Sequence, residues 1–183
     1  CTILLFVNFI ACGSQYYKAD LDQDHDKDRI SKDASDPNSP FYGIHAPNGW
    51  PKLPIPFKVG TKITAAQESQ LIKAMKTWEK AVGKKLFSYQ GIHTKDGDDF
   101  DASLNDDING NYLNNDWSKT SKPKEVLATT IWNTKPNDYA AIDTADIRFN
   151  GNYYVIGDSL VLQPQGDKEI VDMESLALHG LGH

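Results

Sequence analysis

Cysteine is scarce: the chain has two in 183 residues, Cys1 and Cys12, and none beyond. From Gly13 onward no thiol is left to pair, which excludes a disulfide framework there. Basic residues are outnumbered, 19 Lys and Arg against 25 Asp and Glu for a net charge of −6, and nothing in that balance points to nucleic acid as a partner. Long apolar runs are missing too. Thr2 to Ala11 is apolar but too short to span a bilayer as a helix. The remainder has ordinary hydrophobic content, 39% over the whole chain, which suits one globular domain.

The apolar start reads as residues 1–11 of a partial signal peptide, with no initiating Met or basic n-region before it. It ends Phe9-Ile10-Ala11-Cys12-Gly13-Ser14, which resembles a bacterial lipobox, in which the signal is cut before a cysteine that receives the lipid. Cys12 is then the lipidated residue, anchoring the protein to a membrane; ordinary secretion with cleavage nearby is the other reading. Either one exports the protein to the cell envelope or beyond. Residues 12–48 read as a polar linker, charged and without helical or strand period. Within it Asp20, Asp22, Asp24, Asp26 and Asp28 alternate with other residues, as calcium ligands do in an EF-hand loop. His25 and Ser31 stand where that loop needs Gly and Glu, so a solvated acidic linker fits the same residues.

A folded domain is expected over residues 49–183, from Gly49-Trp50-Pro51. Leu53 to Val59 suits a first strand, its prolines consistent with an edge or a strand start. Thr64 then caps a long helix in which Leu71, Ile72, Met75, Trp78 and Val82 recur at helical spacing and Gly83 is the stop signal. Leu86 to Tyr89 is the next strand, giving a βαβ opening. Lys95 to Asp116 is rich in Asp, Asn and Gly and reads as a long surface loop, in which Asp106, Asp107 and Asn109 could hold calcium. Val126 to Trp132, Ala145 to Asn150 and Ser159 to Leu162 are further strand candidates.

The final stretch, Asp172-Met-Glu-Ser-Leu-Ala-Leu-His179-Gly-Leu-Gly-His183, carries the chemistry. Asp172 can cap a helix with Met173, Leu176 and Ala177 as its apolar stripe. His179 and His183, at i and i+4, lie on one face of that helix, the spacing that lets two imidazoles grip one zinc ion. Two incidental surface histidines produce the same spacing. In the zincin pattern H-E-x-x-H the residue after the first His is the general base; here it is Gly180. The metzincin pattern continues x-x-G-x-x-H to a third ligand, and this sequence stops at His183.

Val171 to His183 resembles the start of the active-site helix of matrixin-like metalloproteases with Gly180 in place of Glu, and Ala145-Asp-Ile-Arg-Phe-Asn150 resembles the Ala-Asp-Ile strand of the same family. Asp106 to Trp117 is similar to the segment before the substrate-side strand of its bacterial members. With the Trp50 region, the likeness runs over most of residues 49–183, and its ordered combination is the specific part. It implies an α+β, zincin/metzincin-like fold: a twisted mixed sheet, a long packing helix and an active-site helix, with the C-terminal subdomain absent. It implies zinc on His179 and His183, a third His after the present end, and an edge strand that holds an extended peptide or protein substrate. The cysteine switch that keeps many matrixin proenzymes latent has no residue here. A glutamate restored at 180 is expected to face a solvent-filled cleft and to act as the base.

Three functions follow. The first is an exported zinc endopeptidase, truncated and altered at Gly180. The second is a catalytically inactive zincin homologue that binds peptide or protein. The third is a surface interaction domain in which the His pair is incidental.

Overall fold

The computed structural model describes residues 49–94, 106–135 and 138–183. The signal-like run, Cys12 and the acidic linker lie outside them. The expected βαβ opening forms: β1 (Ile55–Val59), α1 (Ala65–Val82) and β2 (Phe87–Ile92), the two strands paired in parallel. Thr64 starts the helix with a reciprocal cap. Its hydroxyl accepts from the Gln67 N–H at 3.3 Å, while its own N–H donates to Gln67 Oε1 at 2.9 Å. Gly83 ends the helix in the left-handed region at φ 70°.

The buried face of α1 is turned from the expected stripe. It comprises Gln67, Gln70, Leu71, Ala74 and Met75, with Ile72 half-buried and Val82 exposed. The two glutamines can be buried because each finds a partner: Gln67 Nε2 donates to the Ile156 carbonyl at 2.7 Å, and Gln70 Nε2 to Asp158 Oδ2 at 3.0 Å.

The sheet is mixed, in the order β2-β1-β3-β5-β4, where β3 is Gly110–Asn114, β4 is Ala128–Lys135 and β5 is Asp138–Asn150. All neighbours pair in parallel except β4 on β5, so β4 is an antiparallel strand and the last in the order among the described residues. Two expectations are corrected. β1 is internal rather than an edge, while the other reading of its prolines holds: Pro54 and Pro56 stand at the strand's start, and Pro56 is tolerated because that position faces β3, whose pairing begins only at Lys58. The expected Asp/Asn/Gly loop hides β3, a central strand in which Asn111 and Asn114 are buried.

A second, two-stranded sheet pairs β6 (Tyr154–Gly157) with β7 (Glu169–Asp172) in parallel. Ser159 to Leu162, expected as a strand, is instead a turn: Asp158 Oδ1 accepts from the Leu160 N–H at 3.0 Å and the Asp158 carbonyl from the Leu162 N–H. Leu160 and Val161 are left 92% and 70% exposed.

α2 (Met173–Leu181) follows β7 directly. Asp172 caps it as expected, Oδ1 accepting the Ser175 N–H at 2.8 Å. Met173 and Ala177 go into the core with Val59, Leu71 and Phe149, and Trp78 Nε1 ties the helices by donating to the Leu178 carbonyl at 2.8 Å. Gly182 sits close to Trp78: a Cβ there would meet the indole at 3.0 Å. Both helices thus pack on one face of the sheet, the α+β architecture expected. Among the described residues no helix is long and apolar enough to cross a membrane.

Candidate metal centre

His179 lies in the last turn of α2 and His183 two residues past its end, and the two exposed rings come together there. The Nε2 atoms of His179 and His183 are 3.1 Å apart, with ring planes at 88°. Two Zn–N bonds of about 2.0–2.1 Å at a tetrahedral angle need nitrogens about 3.3 Å apart, so the pair already converges nearly to the span of a shared metal. Partial burial, and then the neighbouring His179, lower the His183 pKa, which favours the neutral ring a metal requires. Two imidazoles supply half of a tetrahedral donor set. Among the described residues no group of three His, Cys, Asp or Glu could hold an ion. The donor chemistry and spacing fit zinc as far as the pair goes.

Gly180 does not face solvent. It is buried against β4 and β5, where a Cβ would meet Ile147 Cδ1 and Thr130 Oγ1 at 3.3 Å each. Its carbonyl accepts from Thr130 Oγ1 at 3.1 Å, fastening the last turn of α2 to β4. The expectation of a solvent-facing position is therefore corrected: the register that turns His179 outward turns residue 180 toward the sheet.

Two of the candidate calcium residues are engaged by the protein itself. Asn109, just before β3, ties β1 to β5, Nδ2 donating to the Pro56 carbonyl at 2.7 Å and Oδ1 accepting the Ala145 N–H at 2.8 Å. Asp106 Oδ1 accepts from the Ile108 N–H at 3.1 Å, and its Oδ2 lies 3.8 Å from His93 Nε2. Asp107 is half of a left-handed turn, at φ 57°.

Two groupings escaped the sequence reading. On the sheet face away from the helices, Asp146, Arg148 and Tyr112 are buried together: Arg148 stacks over the Tyr112 ring at 5.1 Å and lies 3.9 Å from Asp146 Oδ2, whose Oδ1 accepts the Gly110 N–H at 2.8 Å. Burial pushes Asp146 up to about 8 and raises Tyr112 as well, with Arg148 pulling both down. The alternation in Ala145-Asp-Ile-Arg-Phe-Asn150 was the available signal, since it places Asp146 and Arg148 on the face opposite Ile147 and Phe149.

The second grouping is a cavity of about 390 Å³ on the helix side, with Trp50, Trp78, Trp132, Asn111, Gly180 and His183 among its walls. It reaches from the His pair across the sheet to the C-terminal half of α1. No protein-family model, curated protein or solved structure matches this chain.

Proposed function

We propose that this chain is built on the plan of an exported zinc endopeptidase of the metzincin type, with His179 and His183 as two of the metal's ligands. The observation that carries the reading is the convergence of the two Nε2 atoms to 3.1 Å on a helix fastened to β4. β4 is the last strand of the sheet among the described residues, and in this reading an extended peptide is held along it by main-chain hydrogen bonds, with alternate side chains reaching opposite faces. A zinc ion bound there would polarise a scissile carbonyl and acidify water. This chain's own residues hold the metal, orient the peptide along β4 and position α2. In this reading Cys12 carries a lipid that tethers the domain to a membrane, calcium is a further ion the acidic segments can attract, and extracellular proteins are the substrates.

The general-base position is Gly180, which has no side chain, and this favours a second reading: a catalytically inactive zincin homologue that holds peptide or protein without cutting it. One experiment separates them. The chain is incubated with zinc and a fluorogenic peptide library, beside His183→Ala, and bound as well as cleaved peptides are recovered. Zinc-dependent cleavage lost in His183→Ala supports the peptidase; retention of intact peptides supports the binding module. Neither cleavage nor retention would remove both.

A further inference from the structure

The cavity beside the His pair has a polar atom that the protein does not satisfy. Asn111 lies on the central strand β3, is 3% exposed and lines the cavity, and its Oδ1 has no hydrogen-bond partner. Its register neighbour on β5 is Ile147, so its side chain shares the face on which the helices pack. The other polar side chains on that wall are engaged: Asn109 holds the Pro56 carbonyl and the Ala145 N–H, and Thr130 holds the Gly180 carbonyl. The rest of the lining is mostly apolar, with three tryptophans, Trp50, Trp78 and Trp132, among it. A buried carboxamide oxygen without a partner, on a residue that lines an apolar, roomy site, is the pattern of a ligand contact, in which a few placed polar groups orient an otherwise apolar guest.

We propose that this cavity binds a small hydrophobic amide, with Asn111 pairing with the guest's amide group. A carboxamide presents an acceptor and a donor side by side, and an amide returns the complementary pair, which an alcohol or hydrocarbon cannot. The volume, about 390 Å³, lies at the small end of ligand pockets, enough for one aromatic or branched group with its amide. Gly180 keeps the site open: it lines the cavity, and a side chain there would start against Ile147 and Thr130, two other lining residues. The amide can come from a free molecule or from one residue of a longer peptide. The site stands whether or not the His pair holds zinc.

The test is a titration of the full chain, with a metal chelator present throughout, followed by tryptophan fluorescence because three tryptophans line the cavity. The probes are N-acetylphenylalaninamide, propylbenzene as the hydrocarbon without an amide, and a serine-rich peptide carrying a single phenylalanine. Wild type should prefer the amide to the hydrocarbon. Asn111→Leu should lose about tenfold in amide affinity, the scale of one buried neutral hydrogen-bonded contact, and keep the hydrocarbon. Ala145→Phe, which fills the cavity wall, should lose both. Binding of the peptide as well marks a peptide residue as the source; its exclusion marks a free molecule. An unchanged amide affinity in Asn111→Leu, or no binding in wild type, overturns the proposal. Should Asn111→Leu fail to unfold cooperatively, equal wild-type affinity for amide and hydrocarbon overturns it without that variant.

Discussion

Substitution at Gly180 tests how α2 sits on the sheet. On an exposed helix surface Gly→Ala gains about 1 kcal/mol, and Gly→Glu nearly as much. Here the new Cβ would stand 3.3 Å from both Ile147 Cδ1 and Thr130 Oγ1 and 3.4 Å from Ile147 Cγ2, tighter than ordinary contact. Forcing a methyl into such packing costs about 1–3 kcal/mol. Displacing the Thr130 hydroxyl from the Gly180 carbonyl adds about 1 kcal/mol. Gly180→Ala should therefore lose up to about 3 kcal/mol net, the sum of those terms less the helix gain. Gly180→Glu should lose more, because its carboxylate starts from an apolar wall. The assay is urea unfolding, reading the midpoint at constant slope. A Gly180→Glu protein stabilised by about 1 kcal/mol would refute the packing argument and return residue 180 to an open cleft.

Further outcomes test the remaining readings. With two imidazoles and no third ligand among the described residues, zinc should be stripped by dialysis against a weak chelator; stoichiometric retention would show a missed ligand. Cys12→Ser should move the protein out of a bacterial membrane fraction, and a wild type left unlabelled by a palmitate analogue would end the lipidation reading. Because Asp146 is raised to about 8 in the fold, its contribution to stability is full below the unfolded carboxyl pKa and is lost as pH rises through 8, so unfolding midpoints should fall between pH 5 and 9. Asp146→Asn, which keeps an acceptor for the Gly110 N–H, should flatten that slope; a large loss at pH 7 would instead show that Arg148 holds the carboxylate ionised.

What could be read from the sequence were the features that depend on neighbours along the chain. The Thr64 cap, the Gly83 stop and the Asp172 cap are local hydrogen-bond chemistry, and the structure has all three. The approach of the two histidines was read from the helix repeat, whereas the structure ends α2 at Leu181 and brings His183 back through a tighter last turn, its N–H donating to the Gly180 carbonyl. β3 was missed because its residues, Gly110-Asn-Tyr-Leu-Asn114, carry loop-like propensities; pairing with β1 and β5 on either side overrides them. The opposite error at Ser159 to Leu162 has the same cause. Its apolar residues suit a strand, yet Asp158 offers the backbone a local turn and no neighbouring strand competes for it among the described residues. The burial of Gln67 and Gln70 depends on partners distant in sequence, Ile156 on β6 and Asp158 just after it.

The same distinction explains why Gly180 was placed on the wrong side. A helical wheel fixes the angle between residues 179 and 180 but leaves the helix free to rotate as a whole. That rotation is set by contacts distant in sequence: the Trp78 indole on the Leu178 carbonyl, the Thr130 hydroxyl on the Gly180 carbonyl, and Met173 and Ala177 in the core. Once these lock the helix, His179 points outward, residue 180 faces β4 and β5, and the space left by its missing side chain joins the cavity that Asn111 lines. Supplying a base at 180 and keeping that cavity open are therefore opposed demands on one position. A variant with a carboxylate there should bind the hydrophobic amide more weakly whatever it does to peptide bonds, and measuring both on the same protein shows which demand the fold is built to meet.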